Sequence, residues 1–381
     1  MLRFISFLAE AAQQRGISHI EHPSDRTFDG PDAAHHALNT IKSVASGKTP
    51  ITRKIDDKMS YQAIRDKNGR VGVKYKGAGS HYNFSHSDID KQHGHKPYLA
   101  HPLHALLSHV GKVLPKGHGE YQGGFMSTPE TRATSGGKIS HTPNTLKYET
   151  DAKSEEGRKL KKSKVSTVIH TKIDAEGRAH PITESIDITE AKGFGSHPDV
   201  HQVDHIVGKD ERKLSPEHQK AVNHHVGEAE KLMKNHTYGH LAGHEGHLRT
   251  YINSTVRSGD TPSVPAYKAH LAAHHDKQIA AVKMEKTKAA KTAEKNNSLE
   301  HVDKNKGAFQ RSFDIHHHVQ QATNHLARGL DAASKHPFQT SIEGNKSGGE
   351  GYVANGVKVV DRTEFSAANL KASDKFKKVK K

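Results

Sequence analysis

The sequence predicts an α+β chain in which an antiparallel sheet is interrupted by a large, mostly helical insertion. Three observations carry this expectation. From Thr52 to Lys76 the residues alternate as in strands and turn at Asp66-Lys-Asn-Gly69, a strong hairpin signal. A second hairpin, Gly351 to Val360, turns at Asn355-Gly356 near the other end. Between them, from about Ser215 to Lys335, composition shifts to Ala, Lys, His and Gln, with apolar residues three or four apart.

The elements follow in order. Met1 to about Gln14 reads as a short amphipathic leader helix with Leu2, Phe4, Ile5, Phe7 and Leu8 as its apolar positions. Pro31 to Ala45 reads as a helix. Strands are expected at Thr52 to Asp56, Tyr61 to Ile64 and Val71 to Tyr75. A helix is expected over Leu99 to Val113, then strands at Glu120 to Met126, Leu146 to Tyr148 and Lys164 to Thr171. Inside the insertion, Lys277 to Asn297 is rich in Ala, Lys and Glu and suits an exposed helix with little core face. The expected organisation is a leader at 1–14, a first core segment at 30–200, the insertion at 201–338, a closing hairpin segment at 339–370 and a basic tail at 371–381.

Composition narrows the function. Hydrophobic residues make up 32% of the 381, so the core is small for the length. No apolar run is long enough to cross a bilayer, and the short N-terminal apolar stretch carries Arg3 and Glu10, unlike a secretory signal. Cys is absent, which excludes disulfides and thiolate chemistry. Lys and Arg number 58 against 42 Asp and Glu, a net charge of +16, and 34 His can add charge on acidification. Such a field attracts polyanions, of which nucleic acid is the commonest.

The candidate chemistry begins at Lys54-Ile-Asp56. A lysine that attacks a phosphorus must be deprotonated, rigid and aimed, and a strand end supplies rigidity. Neighbouring cations such as Arg53, Lys74 or Lys358 would favour the neutral amine. In the C-terminal hairpin, Glu350 opens one strand and Lys358 lies within the next, so a carboxylate and a cation can share developing negative charge.

Lys54-Ile-Asp56, Glu350-Gly-Tyr-Val353 and Val357-Lys358-Val resemble three motifs of the covalent-lysine nucleotidyltransferases, the group of RNA ligases, DNA ligases and capping enzymes. The whole region from about 30 to 370 is similar to a ligase-like family of T-even-like and cyanobacterial myophages. That likeness includes Tyr82-Asn-Phe-Ser-His-Ser-Asp-Ile-Asp-Lys-Gln-His-Gly94 and Thr142-Pro-Asn-Thr145. The resemblance implies an antiparallel-sheet nucleotidyltransferase core using ATP with Mg²⁺ or Mn²⁺ on nucleic-acid ends, RNA or DNA. Lys54 would accept AMP and Lys358 would meet the α-phosphate. Glu350 would hold the metal or ribose, Asp56 would join the nucleotide site, and Lys74 and Lys76 would touch the outer phosphates.

Two positions depart from that pattern. Asp57 follows Lys-x-Asp where the family has Gly, adding negative charge beside an anionic substrate and favouring the charged lysine. Gly124 stands where a carboxylate is expected after Gly123; Glu120 lies on the same strand four residues earlier.

The leader resembles capsid-targeting leaders of phage internal head proteins, which dock on the prohead scaffold and are cut by the prohead protease after a Glu two residues past Leu or Ile. Leu8-Ala9-Glu10 matches. The same triplet form recurs at Ile182-Thr-Glu184 and Ile188-Thr-Glu190, so position lends the match its weight. Two readings follow: an enzyme of the virion or host cytoplasm that seals ends, or an inactive ligase-fold protein packaged in the head with phage DNA. Finally, His236, His240, His244 and His247 would share one face if helical, a zinc- or nickel-binding spacing. Gly239, Gly243 and Gly246 weaken that helix, and solvated His is the commoner outcome.

Overall fold

The computed structural model describes residues 20–77, 79, 81–183 and 193–370. The leader with Leu8 and Glu10, the triplets at 184 and 190, and the tail from 371 lie outside the described residues. The chain is a mixed α+β protein with antiparallel sheets, and it divides into two compact units. The division differs from the expected one. A sheet unit holds 50–209 and 334–351, while a helical unit holds 21–49, 210–333 and 352–370. Residues 21–49 and the closing hairpin therefore belong with the helices. No helix of the described residues is long and apolar enough to cross a membrane.

The strands of the sheet unit, in chain order, are β1 (Thr52–Arg53), β2 (Met59–Arg65), β3 (Val71–Tyr75), β4 (Gly119–Ser127), β5 (Arg132–Ser135), β6 (Lys138–His141), β7 (Lys147–Asp151), β8 (Val165–Ile173), β9 (Ala179–Pro181), β10 (Val200–Gln202), β11 (Gln339–Ile342) and β12 (Asn345–Ser347). One sheet runs β10-β8-β4-β2-β3, with β9 on β8. All its pairings are antiparallel except β10 with β8. A second antiparallel sheet runs β12-β11-β7-β6-β5.

Alternation decides which face of the first sheet is dry. Met59, Tyr61 and Ala63 of β2, Val73 of β3, and Tyr121 and Phe125 of β4 are buried against Leu103 and Leu106 of the helix Pro97–His109. The opposite phase, Ser60, Gln62, Lys74, Gln122 and Gly124, forms a polar face. The helix His86–His93 starts at a capping box: Ser85 Oγ accepts from the Asp88 N–H, and Asp88 accepts from the Ser85 N–H at 3.0 Å. In the second sheet, the β5–β6 hairpin turns at Gly136 and Gly137, φ 57° and 77°, a left-handed pair that glycine adopts freely.

In the helical unit, Pro31–Ala45 forms the expected helix with Pro31 in its first turn. The helix Pro216–Met233 packs along Lys306–Ala333. Leu248, Tyr251, Tyr267, Phe309 and Phe313 lie in its core. The expected helix over Lys277 to Asn297 is broken at 281–284, where one helix ends at Ala280 and the next begins at Glu285; that next helix, Glu285–Lys304, buries only Val302, as its lack of apolar residues implies. Strands β13 (Tyr352–Ala354) and β14 (Val357–Val359) form the expected hairpin at Asn355-Gly356. Arg362 is 2% exposed and donates to Asp25 and to Asn253 Oδ1 at 2.8 Å.

Candidate active site

Lys54 immediately follows β1, shorter than the expected strand, and is pinned by backbone on both sides. The Arg53 N–H donates to the His205 carbonyl at 2.6 Å, and the Lys54 N–H to the Gly351 carbonyl at 2.7 Å. The Arg53 guanidinium adds a bond to the Ile206 carbonyl at 2.6 Å. The lysine is thus rigid without a long strand. Its Nζ ion-pairs with Glu350, 296 positions away in the chain. Lys54 keeps a third of its side chain exposed, whereas Glu350 is largely covered, 32% against 13%.

The two carboxylates after Lys54 diverge. Asp56 is 3% exposed; its oxygens accept from Asn144 Nδ2 at 2.8 Å and from the N–H groups of Thr145 and Leu146 at 2.7 Å. Its own N–H donates to the Tyr148 hydroxyl at 2.8 Å. This carboxylate is spent on holding the 142–146 loop, a positioning role in place of the nucleotide contact that the resemblance implied. Asp57 instead lies over β4, where a Cβ built on Gly124 would fall 2.4 Å from its Oδ2 and 2.5 Å from its Cβ. The Ser60 hydroxyl donates to both Asp57 oxygens, at 3.2 and 3.4 Å. Burial pushes the Asp57 carboxyl up to about 7; Lys54 opposes the rise, and Glu350 and Asp56 add to it.

The polar sheet face continues from there. A row runs Lys74, Gln62, Gln122, Thr171 across β3, β2, β4 and β8. Lys74 is 7% exposed and sits 4.3 Å over the Tyr82 ring. The Tyr82 hydroxyl donates to Glu120, so that carboxylate is engaged away from Gly124. Burial lowers the pKa of Lys74 and of Lys76. Asp57 raises Lys76 and Lys54 lowers it further, which puts Lys76 in the same field. Gln62 and Gln122 are both buried, and Gln122 Oε1 has no partner among the described residues. An orphaned acceptor facing a polar surface is a place for a ligand donor. Sequence reasoning missed Ser60, Gln62 and Gln122, although their place in the polar phase of alternating strands was the available signal.

Lys358 lies on β14 of the helical unit, where its N–H donates to the Glu21 carbonyl at 3.1 Å. The sheet unit holds Lys54, Glu350, Lys74 and Lys76. For a metal, Glu350 and Asp57 are the carboxylates beside Lys54. Among the described residues no three His, Asp or Glu gather to cage an ion. Mg²⁺ or Mn²⁺ does not require a cage, since it binds through one or two carboxylates, waters and substrate phosphates.

The four-histidine face does not form. Gly239–Leu241 is a 3₁₀ turn and the α-helix begins at Glu245, so His236 and His240 turn to Ser312 Oγ, at 2.9 and 3.0 Å. His244 Nδ1 pairs with the Tyr267 hydroxyl at 2.7 Å. The interposed glycines and the pull of the aromatic core decide this.

Residues 17–375 match the model of DUF6267, described as a family of unknown function. No curated protein and no solved structure matches the chain. The chain belongs to the DUF6267 family.

Proposed function

We propose that the sheet unit carries a nucleotidyl-transfer site, in which the Lys54 amine attacks the α-phosphorus of ATP, releasing pyrophosphate, and the AMP then passes to the 5′-phosphate of a nucleic-acid end, freeing the lysine. The observation that carries this reading is the Lys54–Glu350 pair, held rigidly beside a polar sheet face with two cations and an orphaned acceptor. Burial eases proton loss from Lys74 and Lys76, yet as cations they suit the outer phosphates. Gln122 Oε1 can accept from a base amine. Glu350 must release Lys54 before the amine can attack. A divalent cation held by Glu350 and phosphate oxygens would supply charge neutralisation at the phosphates.

The test is transfer of label from α-³²P-ATP to the protein with Mg²⁺ or Mn²⁺, wild type against Lys54→Ala. A labelled band lost in the variant supports lysyl-AMP formation. No label from folded wild type, under either metal, sinks the reading. A second reading rests on the +16 charge: a basic protein that binds nucleic acid in a phage head without catalysis. Salt-dependent DNA binding by an unlabelled protein would favour it.

A further inference from the structure

Residues 153–164 of the sheet unit carry six Lys and Arg against two Glu, a net +4 out of the +16 of the whole chain. Most of this segment is the helix Glu155–Lys162, between β7 and β8. Ser154 caps it, its Oγ accepting from the Gly157 N–H at 3.0 Å, and Gly157 and Leu160 form its buried side. Arg158 and Lys162 project opposite Leu160, four residues apart, with Lys161 on the flank.

Both glutamates are already engaged: Glu155 ion-pairs with Lys159 at 2.7 Å and Glu156 meets His201 Nε2 at 2.8 Å. Of the nearby acids, Asp151 accepts the Lys153 N–H at 2.7 Å, Asp199 ion-pairs with Lys112, and Glu130 shares the field of Arg132 and Lys164. Lys153, Arg158, Lys161, Lys162 and Lys164 are all exposed, and among the described residues none of them ion-pairs with a carboxylate. Cations at a helix C-terminus ordinarily serve its free carbonyls. Here Arg132, on β5, takes that role, donating to the Leu160 carbonyl and to the Ser163 carbonyl at 2.8 Å. Like charges four apart, as at Arg158 and Lys162, work against the helix that carries them. The fold therefore gains nothing from this excess of charge.

We propose that Lys153, Arg158, Lys161, Lys162 and Lys164 form a docking surface for the phosphate backbone of duplex DNA. Lysines act on phosphates as point charges without a fixed geometry, which suits a contact independent of base sequence. A duplex offers one negative charge per about 1.7 Å of axis, and cations one helical turn apart lie about 6 Å apart, so several phosphates are within reach. Residues 153–164 hold no aromatic side chain on which an unpaired base could stack, which sets single strands aside. Their hydroxyls are turned inward: Ser154 Oγ donates to the Asp151 carbonyl at 2.6 Å and Ser163 Oγ to the Leu160 carbonyl at 2.9 Å. No hydroxyl is left to read a ribose 2′-OH, so DNA fits the surface better than RNA. The inference deepens the nucleic-acid-binding reading, from which it takes its partner, and does not depend on the chemistry of Lys54.

The measurement is the salt dependence of binding of the full chain to a short fluorescein-labelled DNA duplex, by anisotropy between about 50 and 200 mM salt. Arg158→Gln, Lys161→Gln and Lys162→Gln combined should reduce the slope of log K against log salt by about 2.7, or about 0.9 per phosphate contact. Lys153→Gln with Lys164→Gln, which leaves the helix untouched, should reduce it by about 1.8. The control is Lys220→Gln, Lys234→Gln and Lys286→Gln, three exposed lysines of the helical unit, whose loss should change the slope by less than about 1. An equal fall in the control would show that binding follows net charge and would overturn the surface. Wild-type binding with an unchanged slope in both surface variants overturns the surface and leaves the nucleic-acid reading standing, whereas no binding by wild type sinks both. A larger loss in binding to single strands, duplex RNA or phosphatidylserine vesicles than to duplex DNA would overturn the partner assigned.

Discussion

Replacing Gly124 by Ala tests the seating of Asp57 over β4 directly. The new Cβ would lie 2.4 Å from Asp57 Oδ2, 2.5 Å from its Cβ and 2.7 Å from its Cγ, so residue 57 must move as a whole. Overpacking of this kind costs about 1–3 kcal/mol. Ala in a strand interior recovers about 0.5–1 kcal/mol of backbone entropy relative to Gly. The net for Gly124→Ala is therefore a loss of about 1–2 kcal/mol. In an Asp57→Gly background the obstructing atoms are gone, and the same substitution should stabilise by about 0.5–1 kcal/mol. The coupling in a double-mutant cycle is then about 2 kcal/mol, well above additivity error. Asp57→Ala should relieve little, because its Cβ remains. Urea unfolding of the four proteins, monitored by circular dichroism, measures the cycle. Equal costs of Gly124→Ala in both backgrounds would refute this seating. Gly123→Ala is a useful contrast: its Cβ meets the Val168 carbonyl at 2.2 Å, and no change at 57 relieves that.

Other consequences follow from the same geometry. Asp56→Ala strands the Thr145 and Leu146 N–H groups, and should cost about 3 kcal/mol in urea unfolding; a loss below 1 kcal/mol would show the loop is held otherwise. In the helical unit, burial would raise the Asp25 carboxyl, but Arg362 and His316 hold it well below the usual carboxylate range. Asp25→Asn leaves the Arg362 charge buried and should cost about 3–5 kcal/mol, so a near-native melting temperature would count against the pair. His225, His236 and His244 are pushed down to about 4, chiefly by burial. Each is neutral when folded but binds a proton below about 6.5 when unfolded, so helical stability is full above that pH and lost as pH falls toward 4. Denaturant midpoints that do not change between pH 7 and pH 5 would contradict this.

Much of the architecture was legible in residue order. Period-two alternation with Asn-Gly turns marked β2, β3, β13 and β14. The helix Pro31–Ala45 has the bounds that its apolar spacing predicts. The second sheet was not legible beyond part of β7, because Arg132-Ala-Thr-Ser and Lys138-Ile-Ser-His offer one apolar side chain to a core and draw their order from strand pairing. The histidine face failed for the opposite reason: its spacing was right, but three glycines and the aromatic core set another path.

At the site the split is sharper. The sequence alone placed Lys54 at a strand end and Lys74 and Lys76 on the strand returning from a hairpin; Asp57 and Gly124 stood out only against the resembled motifs. Only the tertiary structure decided that Glu350 meets Lys54, that Asp56 anchors a loop, that Asp57 fills the space at Gly124, and that Lys358 belongs to the helical unit. The physical reason is range. Local spacing fixes which face a side chain takes within its own element. A partner almost three hundred residues away is fixed by packing of the whole unit, and the direction of side chains on the irregular stretch after β1 is set by whichever donors and cavities that packing brings within reach.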